Sequence, residues 1–192
     1  MHVMRSSDYR RMPWKNGGGE TAEIAIAPAA AALDAFDWRI SMARVDGDGP
    51  FSAFAGVERT LAVLDGAGIR LQIAGRSAVE LTTESAPYGF PADLATSAAL
   101  LGGPITDFNV MTRRGRVSHR VRLEQLSTAV AIPCGAVATI VFCVNGRLRA
   151  TSGTAAVLVG TRDSLLFEPQ DAAVRVAPDP HATVLVVEIA AA

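Results

Sequence analysis

The sequence is poor in the residues that bind transition metals or form redox motifs. Its 192 residues include three histidines and two cysteines. Cys134 and Cys143 do not form a Cys-x-x-Cys pair, and we expect both to be small buried apolar residues. His2, His119 and His181 are far apart, and none belongs to the His-x-His spacing that presents two imidazoles to one metal ion. The sequence therefore predicts no metal site and no cofactor.

An excess of charge and a long apolar run are also missing. The 18 basic and 19 acidic residues give a net charge of −1, which argues against nucleic-acid and membrane partners. The basic run from Arg113 to Arg116 has no interleaved aromatics, so we interpret it as a solvated linker. No apolar run reaches the ~18 residues of a membrane span. Residues 1–8 lack the apolar segment of a secretory signal, so we expect a cytoplasmic protein.

Short β-branched and alternating runs fill most of the chain, separated by Gly, Pro, Asp and Asn. Hydrophobic residues make up 49% of the sequence, which is enough for a packed core. The spacing predicts an all-β sandwich or barrel. Only Pro28–Ala35 and Leu94–Leu101 resemble short helices. Residues 61–93 and 140–171 repeat the order strand, Gly turn, strand, Gly turn, strand, which indicates either a duplicated barrel or ordinary hairpin punctuation.

The segment Trp14-Lys15-Asn16-Gly17-Gly18-Gly19 has two interpretations. Consecutive glycines permit positive φ and let backbone N–H groups approach a ligand, so the segment could form a concave site for a small anion. It could also be a tight surface turn packed by its tryptophan, which is the interpretation that this segment favours when taken alone. A Walker phosphate loop is excluded because the lysine precedes the glycines.

Two predicted strands alternate polar and apolar side chains. On Thr106–Arg113 one face would carry Asp107, Asn109, Met111 and Arg113, because side chains alternate along a strand. On Trp38–Ala43 the face opposite Trp38 and Ile40 would carry Arg39 and Ser41. In a sandwich these polar faces would lie in solvent, whereas in a small barrel they would line a polar cavity. An arginine inside such a cavity needs a carboxylate, either from a ligand or from Glu20 or Glu23.

Three sequence blocks resemble the HutD/Ves family. They are Trp14–Gly19 with Glu23-Ile24-Ala25, then Trp38–Ala43 with Gly49–Ser52 and Gly56–Leu61, and finally Gly102–Arg114. The resemblance spans the chain, is densest from Trp14 to Arg114, and is specific as a set. It implies a bicupin, two cupin-type β-barrels packed as one unit, with residues 1–116 forming the first barrel and 117–192 the second. It also implies a role in histidine utilisation, where such proteins are thought to restrain pathway expression or intermediate accumulation.

The polar faces, the glycine segment and nearby aromatics together predict a pocket for a small carboxylate-bearing metabolite, because guanidinium forks match carboxylates and amides read carbonyl groups. The predicted ligand-binding residues are Lys15, Asn16, Arg39, Ser41, Phe51, Phe54, Asp107, Asn109 and Arg113. The family resemblance suggests urocanate or a formylated glutamate. The alternatives are a solvated Lys15, an Asp107 that caps the turn after Pro104, and phenylalanines that serve only the core. Arg59 would form an exposed ion pair with Glu58.

Three functions fit these residues. The leading one is a metal-free bicupin that binds an acidic metabolite and regulates amino-acid catabolism. The second is a cofactor-independent isomerase, hydrolase or lyase with Asp107 or Glu23 as general base. The third is a protein-interaction module. No Gly-x-Ser-x-Gly elbow or Cys/His pair supports covalent catalysis, so the first is favoured over an enzyme. Exposed sheet edges are compatible with a homodimer.

Overall fold

The computed structural model describes residues 1–134, 137–169, 171 and 173–192. Within these residues the protein is all-β, with one 3₁₀ turn at Ser6–Asp8 and no α-helix. None of the helices in the described ranges is long and apolar enough to cross a membrane. The chain divides into two compact units, one of residues 10–118 and one of residues 1–9 with 119–192.

Within the described residues, seventeen strands are numbered in chain order. They are β1 (His2–Met4), β2 (Arg10–Pro13), β3 (Gly19–Ala27), β4 (Trp38–Val45), β5 (Gly49–Pro50), β6 (Val57–Asp65), β7 (Ile69–Ile73), β8 (Val79–Leu81), β9 (Tyr88–Pro91), β10 (Thr96–Leu100), β11 (Ile105–Arg113), β12 (Val117–Leu126), β13 (Val130–Ile132), β14 (Ala138–Ser152), β15 (Ala155–Val159), β16 (Ser164–Phe167) and β17 (Val174–Ala191).

The unit of residues 10–118 contains two antiparallel sheets. The larger has the order β2-β3-β4-β11-β6-β9, and the smaller has the order β5-β10-β7-β8. Strand β7 shows how the sequence specifies this arrangement: Ile69, Leu71 and Ile73 are buried, while Arg70 and Gln72 between them are exposed. Such alternation is typical of a sheet with one face on a core and one in water.

The other unit is built on the pairing of the two longest strands, β14 and β17. They belong to a sheet with the order β1-β16-β14-β17-β12, to which β13 and β15 add at β17 and β14. Its interior is filled with aliphatic and aromatic side chains from β14, β16 and β17. Cys143 is buried in this core, as the sequence predicts, whereas Cys134 is only half-buried and packs against it.

The first nine residues group with the C-terminal half of the chain. Strand β1 pairs antiparallel with β16, with His2 opposite Leu166 and Met4 opposite Ser164. The sequence interpretation assigned residues 1–116 to one barrel and 117–192 to the other. The compact units of the structure are residues 10–118 and residues 1–9 with 119–192, so the first nine residues belong to the second of these units.

Three local predictions are wrong. Pro28–Ala35, which lies between β3 and β4, forms turns and no helix. Leu94–Leu101 is not helical, since Thr96–Leu100 forms β10, in which Thr96 and Ala98 are buried and Ser97 and Ala99 are exposed. The third error concerns Asn145-Gly146, where the order strand, Gly turn, strand in residues 140–171 predicts that a strand ends. Strand β14 continues through these two residues to Ser152. Its register against β17 shifts twice, once on each side of them.

Candidate functional site

A cavity of about 590 Å³ opens in the unit of residues 10–118. Strands β4, β6 and β11 form its floor, and the segments around residues 12–16, 33 and 50–54 form its walls. We call it the main cavity. It is lined by Met12, Pro13, Trp14, Lys15, Asn16, Leu33, Arg39, Ser41, Ala43, Pro50, Phe51, Ser52, Phe54, Arg59, Asp107, Asn109 and Met111.

The register of three neighbouring strands assembles the floor. In β11, Asn109 lies between Ser41 of β4 and Leu61 of β6, and Met111 lies between Arg39 and Arg59. Directly opposite residues of antiparallel strands point to the same face, so these side chains share one surface. The predicted alternation of β4 and of residues 107–111 is therefore confirmed, and its polar face lines a cavity instead of facing solvent.

Arg39 has the carboxylate partner that its burial requires. Its Nε donates to Oε2 of Glu23 at 2.7 Å, and the two side chains are 7% and 10% exposed. The register of β3 against β4 shifts between Glu23 and Ala25, which is a β-bulge. Bulges re-aim side chains and are frequent beside functional sites. Of the two candidate partners, Glu23 is confirmed, whereas Glu20 pairs with Arg11.

Arg59, Asn109 and Asp107 form a chain of hydrogen bonds along the floor. Nε of Arg59 donates to Oδ1 of Asn109 at 2.8 Å, and Nδ2 of Asn109 donates to Oδ1 of Asp107 at 2.6 Å. Asn109 and Asp107 are 2% and 1% exposed. The amide thus links a cation to an anion, and both of its polar atoms are used. Asp107 lies within β11, so the alternative in which it caps the turn after Pro104 is wrong.

Burial shifts both ionisable groups toward neutrality. Loss of hydration raises the pKa of Asp107 to about 6, although the positive charge of Arg59 and the bond from Asn109 oppose this rise. Loss of hydration also lowers the pKa of Arg59 to about 10, partly offset by Asp107 and reinforced by Arg39. At neutral pH the floor therefore holds Arg59 as a cation and Asp107 mostly as an anion, both at a desolvation cost.

Arg59 is a member of the site that the sequence interpretation missed. Glu58 does not pair with it but with Arg114, at 2.6 Å between Oε1 and Nη1. The signal was the period of two in β6, because Val57, Leu61 and Val63 are all buried and Arg59 belongs to the same face. An arginine on an otherwise apolar inward face indicates a cavity or a buried partner.

Aromatic and aliphatic side chains form part of the cavity wall, in contact with one of the charged groups. The guanidinium carbon of Arg59 lies 4.4 Å from the ring centroid of Phe51, within the range of a cation–π interaction. Phe54 lies half-buried on the same wall, and Leu33 is 49% exposed beside it. Phe51 and Phe54 also pack against the hydrophobic core, so each serves the core and lines the cavity.

The glycine segment is a tight turn between β2 and β3, at the mouth of the main cavity. Asn16 Oδ1 accepts the N–H of Gly18 at 3.1 Å, and the backbone of Trp14 bonds to Gly17 and Gly19. A Cβ on Gly19 would lie 2.1 Å from the carbonyl oxygen of Arg44 and 3.1 Å from the ring of Trp14. The turn interpretation is thus confirmed, and Lys15 and Asn16 are exposed at the rim.

Arg113 is the one predicted ligand residue that lies outside the main cavity. It lines a second cavity of about 380 Å³, bordered by Leu33, Asp34, Ala53, Phe54, Ala55 and Val57. Its Nε donates to the carbonyl of Phe36 at 2.9 Å and its Nη2 to that of Asp34 at 2.7 Å. These backbone acceptors occupy the groups that the sequence interpretation assigned to a ligand.

Within the described ranges, no group of three or more His, Cys, Asp and Glu side chains could hold a metal ion. The side chains of the main cavity are instead guanidinium, ammonium, amide, hydroxyl and carboxylate groups. Such groups bind organic anions and move protons.

The comparisons with known proteins agree on one family. The model of the HutD family matches residues 6–186. An uncharacterised 21.2 kDa protein from the 3′ region of hutC in Pseudomonas putida is 35% identical over 172 residues, covering 89% of this chain and 88% of that protein. Protein Ves of Citrobacter koseri is 36% identical over 148 residues, 74% of either chain. The structure of HutD from Pseudomonas fluorescens, solved under a formate condition, is 32% identical, with a TM-score of 0.82 over 100% of this chain and 98% of that one.

Proposed function

The chain belongs to the HutD family, and from this premise we propose that its main cavity binds a small carboxylate-bearing metabolite of histidine breakdown. Membership confirms the resemblance drawn from the sequence, with the cupin-type all-β fold and the association with histidine utilisation. The binding of a carboxylate ligand is the part that we propose. The observation that supports it is a cavity of ligand size whose floor carries the guanidinium groups of Arg39 and Arg59 and whose rim carries Lys15.

The charges of the cavity support an anionic ligand. Three cationic side chains, Lys15, Arg39 and Arg59, face or border it, against two carboxylates, Glu23 and Asp107. Glu23 neutralises Arg39 by direct contact, whereas Arg59 reaches Asp107 only through an amide. At neutral pH one net positive charge is left, which favours a monoanion inside a partly desolvated site.

The shape and the apolar wall supply the rest of the recognition. A volume of about 590 Å³ lies in the range of pockets for small molecules, which are mostly apolar with a few placed polar groups. A carboxylate at Arg59 would leave the remainder of the ligand against Phe51 and Phe54. Urocanate combines one carboxylate with a planar ring and fits both this division and the single net charge, whereas formylated glutamate carries two carboxylates and tests whether the cavity also accepts a dianion. The HutD of Pseudomonas fluorescens was solved under a formate condition, and formate is the smallest carboxylate probe of the same chemistry.

The test is calorimetric titration of urocanate, N-formyl-L-glutamate and formate into the full chain and into Arg59→Met. Methionine keeps the apolar stem and removes the charge. We expect the affinity for the best acid to fall by about 30-fold or more, since truncating one partner of a desolvated charge pair costs ~2 kcal/mol or more.

Arg70→Met is the matched control, because Arg70 is an exposed arginine of the same unit that pairs with Glu80. Its affinity for the best acid should equal that of the unmodified chain. An absence of binding heat with all three acids, or equal affinities for Arg59→Met and Arg70→Met, would refute the proposal.

A second candidate function is cofactor-independent acid–base catalysis in the same cavity. The pKa of Asp107, raised to about 6 by burial, suits a general base near neutral pH, and Arg39 and Arg59 could stabilise developing negative charge. The histidine-pathway acids should then be converted by the unmodified chain and not by Asp107→Asn. If the acids are recovered unchanged after prolonged incubation with the unmodified chain, catalysis is refuted and binding is the function that remains.

A further inference from the structure

Arg113 joins the two loops that wall the main cavity. Its three side-chain nitrogens all donate to backbone carbonyls: Nε to Phe36 at 2.9 Å, Nη2 to Asp34 at 2.7 Å and Nη1 to Ala55 at 3.4 Å. Its own backbone N–H donates to the carbonyl of Asp37 at 2.8 Å. One side chain at the end of β11 therefore fixes residues 34–37 on one loop and residue 55 on the other.

The same side chain also orders an aromatic pair behind these loops. Its guanidinium carbon lies 5.6 Å from the ring centroid of Phe36, which is fully buried. The ring of Phe36 in turn lies 6.2 Å from that of Phe54, measured between centroids. The position of Phe54 thus depends on Arg113 through its neighbour Ala55 and through Phe36.

Leu33 and Phe54 separate two cavities. Both side chains line the main cavity of about 590 Å³ and also the second cavity of about 380 Å³ that Arg113 borders. Leu33 precedes the carbonyl of Asp34 that Arg113 holds, and Phe54 precedes that of Ala55. Both side chains therefore lie at the boundary of the two cavities, and the residue that follows each of them in the chain is held by the same guanidinium group.

We propose that Arg113 is a positioning residue that sets the length of ligand the main cavity accepts, by holding Leu33 and Phe54 as a partition. The inference rests on the proposed function and deepens it. With the guanidinium in place, the apolar part of an acid bound at Arg59 ends at the partition. Without it, the two loops lose a common anchor, the partition gives way, and a longer acid extends into the second cavity.

The experiment measures chain-length selectivity with a series of linear monocarboxylates, from acetate through butyrate to hexanoate. Calorimetric dissociation constants are compared for the unmodified chain, Arg113→Met and Arg113→Lys. Methionine fills similar space with no donors, and lysine keeps a cation that can reach one carbonyl. Arg114→Met is the control, because this neighbouring arginine pairs with Glu58 and Asp93 at the exposed surface.

We expect Arg113→Met to shift the preference toward hexanoate by up to about fourfold for each additional methylene that becomes buried. Arg113→Lys should show an intermediate shift, and Arg114→Met none. A merely structural role would change the affinities for all acids by one common factor. That outcome, with the selectivity ratio unchanged in Arg113→Met and in Arg113→Lys, overturns the inference.

Hydrogen exchange provides a second readout that needs no ligand. Amide exchange in residues 28–37 and 51–57 should be faster in Arg113→Lys than in Arg114→Met. The exchange rates in the strands should be the same in both variants. Equal exchange in these two loops also overturns the inference. If the unmodified chain binds none of the acids, the proposed function itself fails, which is a different result from binding with unaltered selectivity.

Discussion

Asp107 should make the protein less stable at neutral pH than at mildly acidic pH, and Asp107→Asn should remove this effect. Burial raises the pKa of Asp107 to about 6 from an ordinary value of 3.8. Between these two values the folded protein holds a proton that the unfolded chain releases. The free energy of unfolding contributed by this group is therefore fully present below pH 4 and is lost as the pH rises through 6.

The size of the effect follows from the difference in pKa. A difference of about two pH units corresponds to about 3 kcal/mol, at ~1.4 kcal/mol per unit. Asparagine has the shape of the neutral carboxyl group and can accept the same bond from Asn109. We therefore expect Asp107→Asn to match the unmodified chain near pH 4 and to be more stable by about 3 kcal/mol at pH 7.5.

Urea unfolding followed by tryptophan fluorescence is a suitable assay, because Trp14 and Trp38 both lie in the unit of residues 10–118. The measured quantity is the difference in unfolding free energy between variant and unmodified chain at half-unit steps from pH 4 to 7.5. Asp65→Asn controls for the loss of one carboxylate from the same unit at an exposed position. A difference that stays constant with pH, or a variant that is less stable at pH 7.5, would refute the reasoning. A stabilised variant that binds acids differently would identify Asp107 as a residue kept for function.

Three further predictions concern stability. Glu23→Gln should lower the free energy of unfolding by about 3 kcal/mol, because it leaves a buried arginine without its carboxylate. Glu20→Gln is the control, in an exposed ion pair of the same strand, and should lower it by less than ~1 kcal/mol. Equal losses of unfolding free energy in urea titrations would contradict this prediction. Gly19→Ala should lower the free energy of unfolding by more than ~2 kcal/mol, since the added Cβ would collide with backbone. Gly18→Ala, the control, should lower it by less than ~1 kcal/mol. Similar melting temperatures for the two variants would contradict this prediction. For Asp163, burial opposes ionisation, but backbone N–H groups and an arginine hold its pKa low, so its stabilisation is present at neutral pH and lost as the pH falls through that pKa. Asp163→Asn should therefore destabilise the protein more at pH 7 than at pH 3, and a penalty independent of pH would be the contrary result.

The alternation of side chains made much of the floor predictable. The period of two in Trp38–Ala43 and Thr106–Arg113 identified Arg39, Ser41, Asp107 and Asn109 as two polar faces, which the structure joins through the pairing of β4 with β11. That pairing joins strands about 70 residues apart, a separation that periodicity does not encode. The family resemblance, not the alternation, supplied the expectation that both faces belong to one barrel.

The errors arose where a local interpretation competed with a distant partner. Arg59 was assigned to Glu58 because the two are adjacent, yet adjacent residues on a strand point to opposite faces. Alternation assigned Arg113 to the same ligand-binding face as Asp107. At the end of β11, however, its side-chain nitrogens donate to backbone carbonyls of two loops. Leu94–Leu101 looked helical because alanine and leucine favour helices, and pairing with β7 overrode that preference.

The antiparallel match between β1 and β16 has a consequence for synthesis of the chain on the ribosome. Residues 10–118 form a contiguous unit, so everything this unit requires has been translated when its last strand emerges. Residues 2–4 emerge before this unit, yet their β-partner in the structure, Ser164–Leu166, is translated after it. The unit with the polar cavity can thus mature before the other unit, which is completed only when Ser164–Leu166 pairs with β1.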